Sequence, residues 1–142
     1  MYLLLATLLL TTMPPPADTG TLIIEVQGIE EAGGFIWVGL YDSEAHYMVK
    51  EKAIVKGYDV THTGTMRLEV HELPAGRWAI ALFHDIDGDG ELDTNYLGIP
   101  SEPYAFSRKP PSKWRAPRYD EVAIPFRPPL QRLSVRLERW SL

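Results

Sequence analysis

Nowhere in this chain do apolar residues recur at a helical period for long enough to make a long amphipathic helix; they come in short runs, mostly alternating, between glycines and prolines. That pattern commits the chain to β structure. Leu22, Ile24 and Val26 share one face of a run from Thr21 to Gln27 that stops at Gly28. Gly33 and Gly34 signal a turn into Phe35 to Tyr41, which is apolar on both faces and so belongs at the centre of a sheet. Asp42 to Met48 reads as a loop or one helical turn that Asp42 or Ser43 can cap. Ala53 to Val60 is a weaker strand broken by Gly57, and Met66, Leu68 and Val70 point inward from a cleaner one. The sharpest turn is Leu73-Pro74-Ala75-Gly76, where Pro74 pre-sets φ at the first corner. It feeds a long strand from Arg77 to Asp85. Tyr119 to Phe126 gives a short strand, and Leu133 to Leu137 alternates well as the last. About seven strands joined by short turns predict an all-β fold, an antiparallel Greek-key β-sandwich of the transthyretin or immunoglobulin type.

The long strand runs straight into the densest chemistry of the chain, Phe83-His84-Asp85-Ile86-Asp87-Gly88-Asp89-Gly90-Glu91-Leu92-Asp93. Counting from Asp85, aspartates stand at positions 1, 3, 5 and 9 and a glycine at 6, the spacing by which an oxygen-rich loop folds around a hard cation such as Ca²⁺. Like charges crowded into one turn repel by about 4 kcal/mol per pair at 4 Å and a near-surface dielectric, so a bound cation is the simplest remedy. The loop is not an EF-hand. Position 12 is Tyr96 where that motif has its bidentate glutamate, and the segment leading in is a strand. Side-chain ligands are expected from Asp85, Asp87, Asp89 and Asp93, with the Glu91 carbonyl and a distant carboxylate completing the shell. Glu102 is the candidate, because Gly98-Ile99-Pro100-Ser101 can turn the chain back.

A length of 142 residues suits one domain over 18–142 with a core of its own. Without cysteine, the chain has neither disulfides, thiolate metal sites nor a thiol nucleophile. The net charge of −5 hides an asymmetry: 16 acidic and 5 basic residues from Asp18 to Ser107, then 3 acidic and 9 basic from Arg108 to Leu142. The apolar run Tyr2 to Leu10, followed by Pro14-Pro15-Pro16-Ala17, is too short to span a bilayer and reads as the core of a secretory signal, residues 1–17 forming a signal peptide or disordered leader. A periplasmic or secreted protein without a membrane span in its mature form is the expectation. A weak Ca²⁺ site of the extracellular kind agrees with it.

His84 shares a strand face with Trp78, Ile80 and Leu82, which predicts a buried imidazole hydrogen-bonded to a neighbour. The sharper alternative makes His84, with Glu102, the general base or ligand of a metal-assisted hydrolase. His46, His62 and His71 are scattered and give no zinc constellation. Tyr96, Tyr104, Phe106, Trp114 and Tyr119 either line a groove for a protein, peptide or carbohydrate ligand or close an open end of the sandwich. The basic run from Arg108 to Arg118 reads as a solvated connection touching the acidic loop or an anionic surface, not as a nucleic-acid patch.

Taken together, Leu73 to Ala81, Phe83 to Asn95 and Leu97 to Ser107 resemble the uncharacterised bacterial family DUF2141, a likeness that extends from about Thr21 to Leu137. The resemblance carries the family signature onto Gly76, His84, Asp85, Asp87, Asp89, Gly90, Asp93, Asn95, Gly98, Pro100, Glu102 and Phe106. It implies an exported sandwich similar to transthyretin or carboxypeptidase-regulatory domains, and it brings no established activity with it. Asp87 and Asp89 stand where the family often has asparagine, so this chain is the more anionic. The reading that follows is a non-catalytic module of the cell envelope whose Ca²⁺-loaded loop orders the segment from Tyr96 to Ser107. A structural envelope module without metal is the other alternative.

Overall fold

The computed structural model describes residues 18–141. The leader expected over 1–17 lies outside them. Eight strands form two sheets: β1 (Thr19–Ile29), β2 (Phe35–Tyr41), β3 (Ile54–Asp59), β4 (Gly64–Pro74), β5 (Gly76–Asp85), β6 (Tyr104–Phe106), β7 (Ile124–Phe126) and β8 (Leu130–Arg136). One sheet runs β4-β1-β8; the other runs β3-β2-β5-β6, with β7 also on β5. The runs read from alternation become strands, and β2 is central as its two apolar faces require. Asp42 to Met48 contains a single 3₁₀ turn, Glu44–His46, without a side-chain cap.

Three features depart from the expectation. β8 lies parallel to β1, with Ile24 opposite Leu133 and Val26 opposite Val135, so the sandwich is not wholly antiparallel. The reason is the route: β8 reaches β1 from β7, which sits on the other sheet, and a crossing of that kind leaves the strand direction free where a hairpin would reverse it. The stretch from Tyr119 splits into one helical turn, α1 (Tyr119–Val122), and β7. The proline-broken segment after the acidic loop contributes β6, an eighth strand.

Leu22, Ile24, Val26, Leu68, Val70 and Val135 from one sheet meet Ile36, Val38, Leu40, Ile80 and Leu82 from the other in one core. Each such side chain taken fully out of water contributes about 1.5–3 kcal/mol before entropy is charged. The outer face of the larger sheet carries a second cluster. Tyr41 and Ala79 pack there against Tyr119, Val122 and Ala123. Tyr119 Oη donates to the Arg77 carbonyl at 2.7 Å, and Ser107 Oγ accepts from Ile80 N–H at 3.0 Å while donating to the Val122 carbonyl. Arg115 holds Glu121 through two bonds of 2.7 and 2.8 Å, and the Arg118 N–H adds a third at 2.8 Å.

Farther out, Gly57 on β3 lies opposite Trp37 on β2, and a Cβ there would come within 2.6 Å of the indole ring. The glycine that weakens β3 in the sequence is thus the seat of Trp37. Gly57→Ala is expected to lower stability by about 1–3 kcal/mol, as overpacking does, seen as a lower denaturant midpoint with an unchanged slope. The Arg115 bond, then the Arg118 N–H, pull the Glu121 pKa from 4.5 down to about 2. A depressed carboxylate contributes stability above its unfolded pKa and loses it as pH falls through the folded value. Glu121→Gln should therefore lower the melting temperature at pH 7, and the difference from the native chain should close between pH 4.5 and about 2.

Candidate metal centre

Register places the acidic loop. β2 pairs with β5 so that Phe35 stands opposite Asp85 and Trp37 opposite Phe83, which puts the Trp37 indole diagonally beside the Asp85 carboxylate. Trp37 Nε1 donates to Asp85 Oδ2 at 2.9 Å. Gly34, at φ +65°, packs so closely on the end of β5 that a Cβ would stand 2.0 Å from the Asp85 carbonyl oxygen. Only glycine fits there.

Asp85 is fully buried and organises the turn that follows it. Its Oδ1 accepts from Gly88 N–H at 3.0 Å and its Oδ2 from Gly90 N–H at 2.8 Å, with φ of +71° and +82° at the two glycines. Burial works against the charged form, but the hydrogen bonds from Trp37, Gly90 and Gly88 outweigh it and leave the pKa below the usual aspartate value. Asp87 Oδ1 accepts from Asp89 N–H at 3.3 Å and Asp89 Oδ1 from Glu91 N–H at 2.9 Å, so the loop is braced by its own carboxylates.

The chain then doubles back. Asn95 accepts from Leu97 and Ile99 N–H through its side chain, Gly98 turns at φ +76°, and Ser101 N–H donates to the Asp93 carbonyl. That hairpin returns Glu102 to the loop, where it is buried. Glu102 Oε1 accepts from Ile86 N–H and Oε2 from Asp93 N–H, both at 3.0 Å. One carboxylate thus staples both ends of the acidic turn.

Two groups of carboxylate oxygens result, each within 4.8 Å of one another: Asp85 with Asp87 and Glu102, and Asp87 with Asp89 and Asp93. Asp87 belongs to both. The Glu91 side chain joins neither and points into solvent. Among the described residues no lysine or arginine forms a salt bridge with any of these groups. The crowding registers on Asp93, whose pKa is pushed from 3.8 up to about 6 by the hydrogen bond with Asp87, then burial, then the charges of Asp87, Asp89 and Glu102.

The other candidates separate. His84 is 1% exposed and its Nε2–H donates to the Gly33 carbonyl at 2.8 Å, which makes it a tie between β5 and the turn before β2. The five aromatics do not gather in one groove: Tyr119 is in the second cluster, Tyr104 and Phe106 meet edge to face on β6, Trp114 packs on Trp140, and Tyr96 stands out at the hairpin tip. The basic connection pairs locally, Arg115 with Glu121 and Lys109 with Glu138, and makes no salt bridge to the acidic loop. Trp37 is the site residue that sequence reasoning missed. Its signal was the aromatic on the second face of a central strand, a position that calls for a partner for the indole N–H.

A family model described as "Uncharacterized protein conserved in bacteria (DUF2141)" matches residues 24–132, a span that takes in β2 to β7 and the whole acidic loop. No curated protein and no solved structure matches the chain. For the metal-free protein, a raised carboxylate costs stability once it ionises, between its unfolded pKa of 3.8 and its folded value of about 6. In chelator, Asp93→Asn is expected to raise the melting temperature at pH 7, and that advantage should shrink as pH falls from about 6 towards 3.8 in a thermal denaturation series.

Proposed function

The chain belongs to the uncharacterised bacterial family DUF2141, and we propose that it is an exported, non-catalytic β-sandwich module whose acidic loop binds Ca²⁺. The observation that carries this reading is the position of Asp87, common to two carboxylate groups that no cationic side chain neutralises through a salt bridge among the described residues. The donor set is all oxygen and carboxylate-rich, which suits a hard cation with flexible coordination such as Ca²⁺. Asp87, Asp89 and Asp93 are the principal side-chain ligands in this reading. Asp85 Oδ1 and the two Glu102 oxygens each accept one backbone N–H and keep a lone pair with which to join the shell, whereas Asp85 Oδ2 is fully engaged by Trp37 and Gly90. Glu91 serves through its carbonyl.

Binding would tighten the hairpin from Thr94 to Pro100, and with it the exposed Tyr96 and Leu97, into a surface for a partner at the cell envelope. The finer fold assignment, a Greek-key sandwich of the transthyretin type, goes with this proposal. A metal-assisted hydrolase would ask His84 to work from the core while its Nε2–H is engaged by Gly33, so that alternative draws less support.

Calorimetric titration with Ca²⁺ at physiological salt should give a dissociation constant of about 10⁻⁴ to 10⁻³ M, the range of extracellular sites, together with a rise in melting temperature. Asp87→Asn should abolish both and, by relieving Asp93, should not lower the melting temperature of the chelated protein at pH 7. Absence of heat and of any melting shift at millimolar Ca²⁺ would overturn the reading in favour of a module without metal.

A further inference from the structure

On the flank away from β2 and β4, the two sheets are bridged among the described residues at one point. Tyr104 N–H donates to the Glu138 carbonyl and Glu138 N–H to the Tyr104 carbonyl, both at 3.0 Å, an isolated antiparallel bridge. Carrying that register one step further sets Phe106 opposite Arg136, yet no ladder forms, and β6 and β8 remain the end strands of their sheets. The chains part there and leave a slot of about 210 Å³ whose walls include Tyr104, Phe106, Lys109, Val135, Arg136 and Glu138.

The backbone of the slot is set for a further strand. Ser107 N–H donates to Ile80 and the Pro103 carbonyl accepts from His84, so alternate residues of this segment face β5 and Phe106 turns its N–H and C=O outward. By the same alternation Leu137 N–H faces Gln27 on β1, which leaves the Arg136 backbone facing the slot. Val135 is buried, the Tyr104 and Phe106 rings stand 6.1 Å apart on β6, and exposed Lys109 and Arg136 form a cationic rim. Glu138 is the acid in the wall, and Lys109 Nζ lies 4.0 Å from it. Arg108 and Arg132, both exposed, add positive charge nearby in sequence.

We propose that this slot is a peptide-binding site in which an extended, acidic segment of a partner protein adds as a strand between β6 and β8. Main-chain hydrogen bonds to Phe106 and Arg136 supply affinity, and carboxylates paired with Lys109 and Arg136 supply selectivity. The slot contains none of the acidic-loop residues, so the proposal stands apart from Ca²⁺ binding.

The test is fluorescence anisotropy with a labelled hexapeptide alternating valine and glutamate, in chelator and again with Ca²⁺. The glutamate peptide should bind in both, and a valine–lysine peptide should bind roughly tenfold more weakly or worse, the scale of a lost charged contact. Methylating alternate backbone nitrogens of the glutamate peptide keeps its charge and removes the donors that face one of the two flanking strands while setting methyl groups against it, so that peptide should lose binding. The double variant Lys109→Glu with Arg136→Glu should reverse the preference towards the lysine peptide. Equal binding of the N-methylated peptide, equal binding of the lysine peptide, or no binding of the glutamate peptide at millimolar concentration would each overturn the proposal. A failed Ca²⁺ titration would leave it standing.

Discussion

A carboxylate taken out of water at the end of a strand persists only if the protein supplies donors for it, since an uncompensated buried ion costs several kcal/mol. Asp85 is that carboxylate, and three donors converge on it: the Trp37 indole, Gly88 N–H and Gly90 N–H. Much of the surrounding structure follows from meeting this requirement. The β2–β5 register sets Trp37 within reach, Gly57 leaves room for its ring, and Gly34 lets the backbone close on the end of β5. The glycines of the loop adopt positive φ so that their N–H groups can turn back on Asp85.

With Asp85 fixed, the remaining acids divide by duty. Glu102 returns from the far side of a tight hairpin and holds both ends of the turn through Ile86 and Asp93. Asp87, Asp89 and Asp93 are left crowded on the solvent side, within 4.8 Å of each other. Two buried carboxylates therefore build a scaffold that holds three others closer than their charges favour. The Asp93 pKa is raised first by its hydrogen bond with Asp87, then by burial and by the charges of Asp87, Asp89 and Glu102, so a proton is held where the carboxylates crowd.

The opposite sign of charge collects elsewhere. Of the basic residues of the last third of the chain, Arg115 pairs with Glu121 at α1, Arg139 reaches Glu30 and the Ser101 carbonyl, and Lys109 and Arg136 line the slot between β6 and β8. The molecule thus offers two chemically distinct surfaces, one anionic at the end of β5 and one cationic where the sheets part, with the core of the sandwich between two sheets that share only a short bridge on that flank. The attraction between acidic and basic regions expected from charge counts does not pair the acidic loop with the basic connection, whose Lys109 and Arg115 pair with Glu138 and Glu121 instead.

Alternation by itself determined the all-β class, the central place of β2, the inward faces of Leu22, Ile24 and Val26 and of Leu68 and Val70, and the burial of His84, because a period of two residues fixes which side chains share a face. Spacing likewise marked Asp85 to Asp93 as one loop and Glu102 as the residue to return to it. Other features needed the tertiary structure. The parallel pairing of β8 with β1, the role of Trp37 and the parting of β6 from β8 all depend on residues far apart in the chain, and local pattern carries no record of which distant strand becomes a neighbour. The split between carboxylates that hold the loop and carboxylates left to face a cation has the same origin: it depends on which oxygens the folded backbone reaches first.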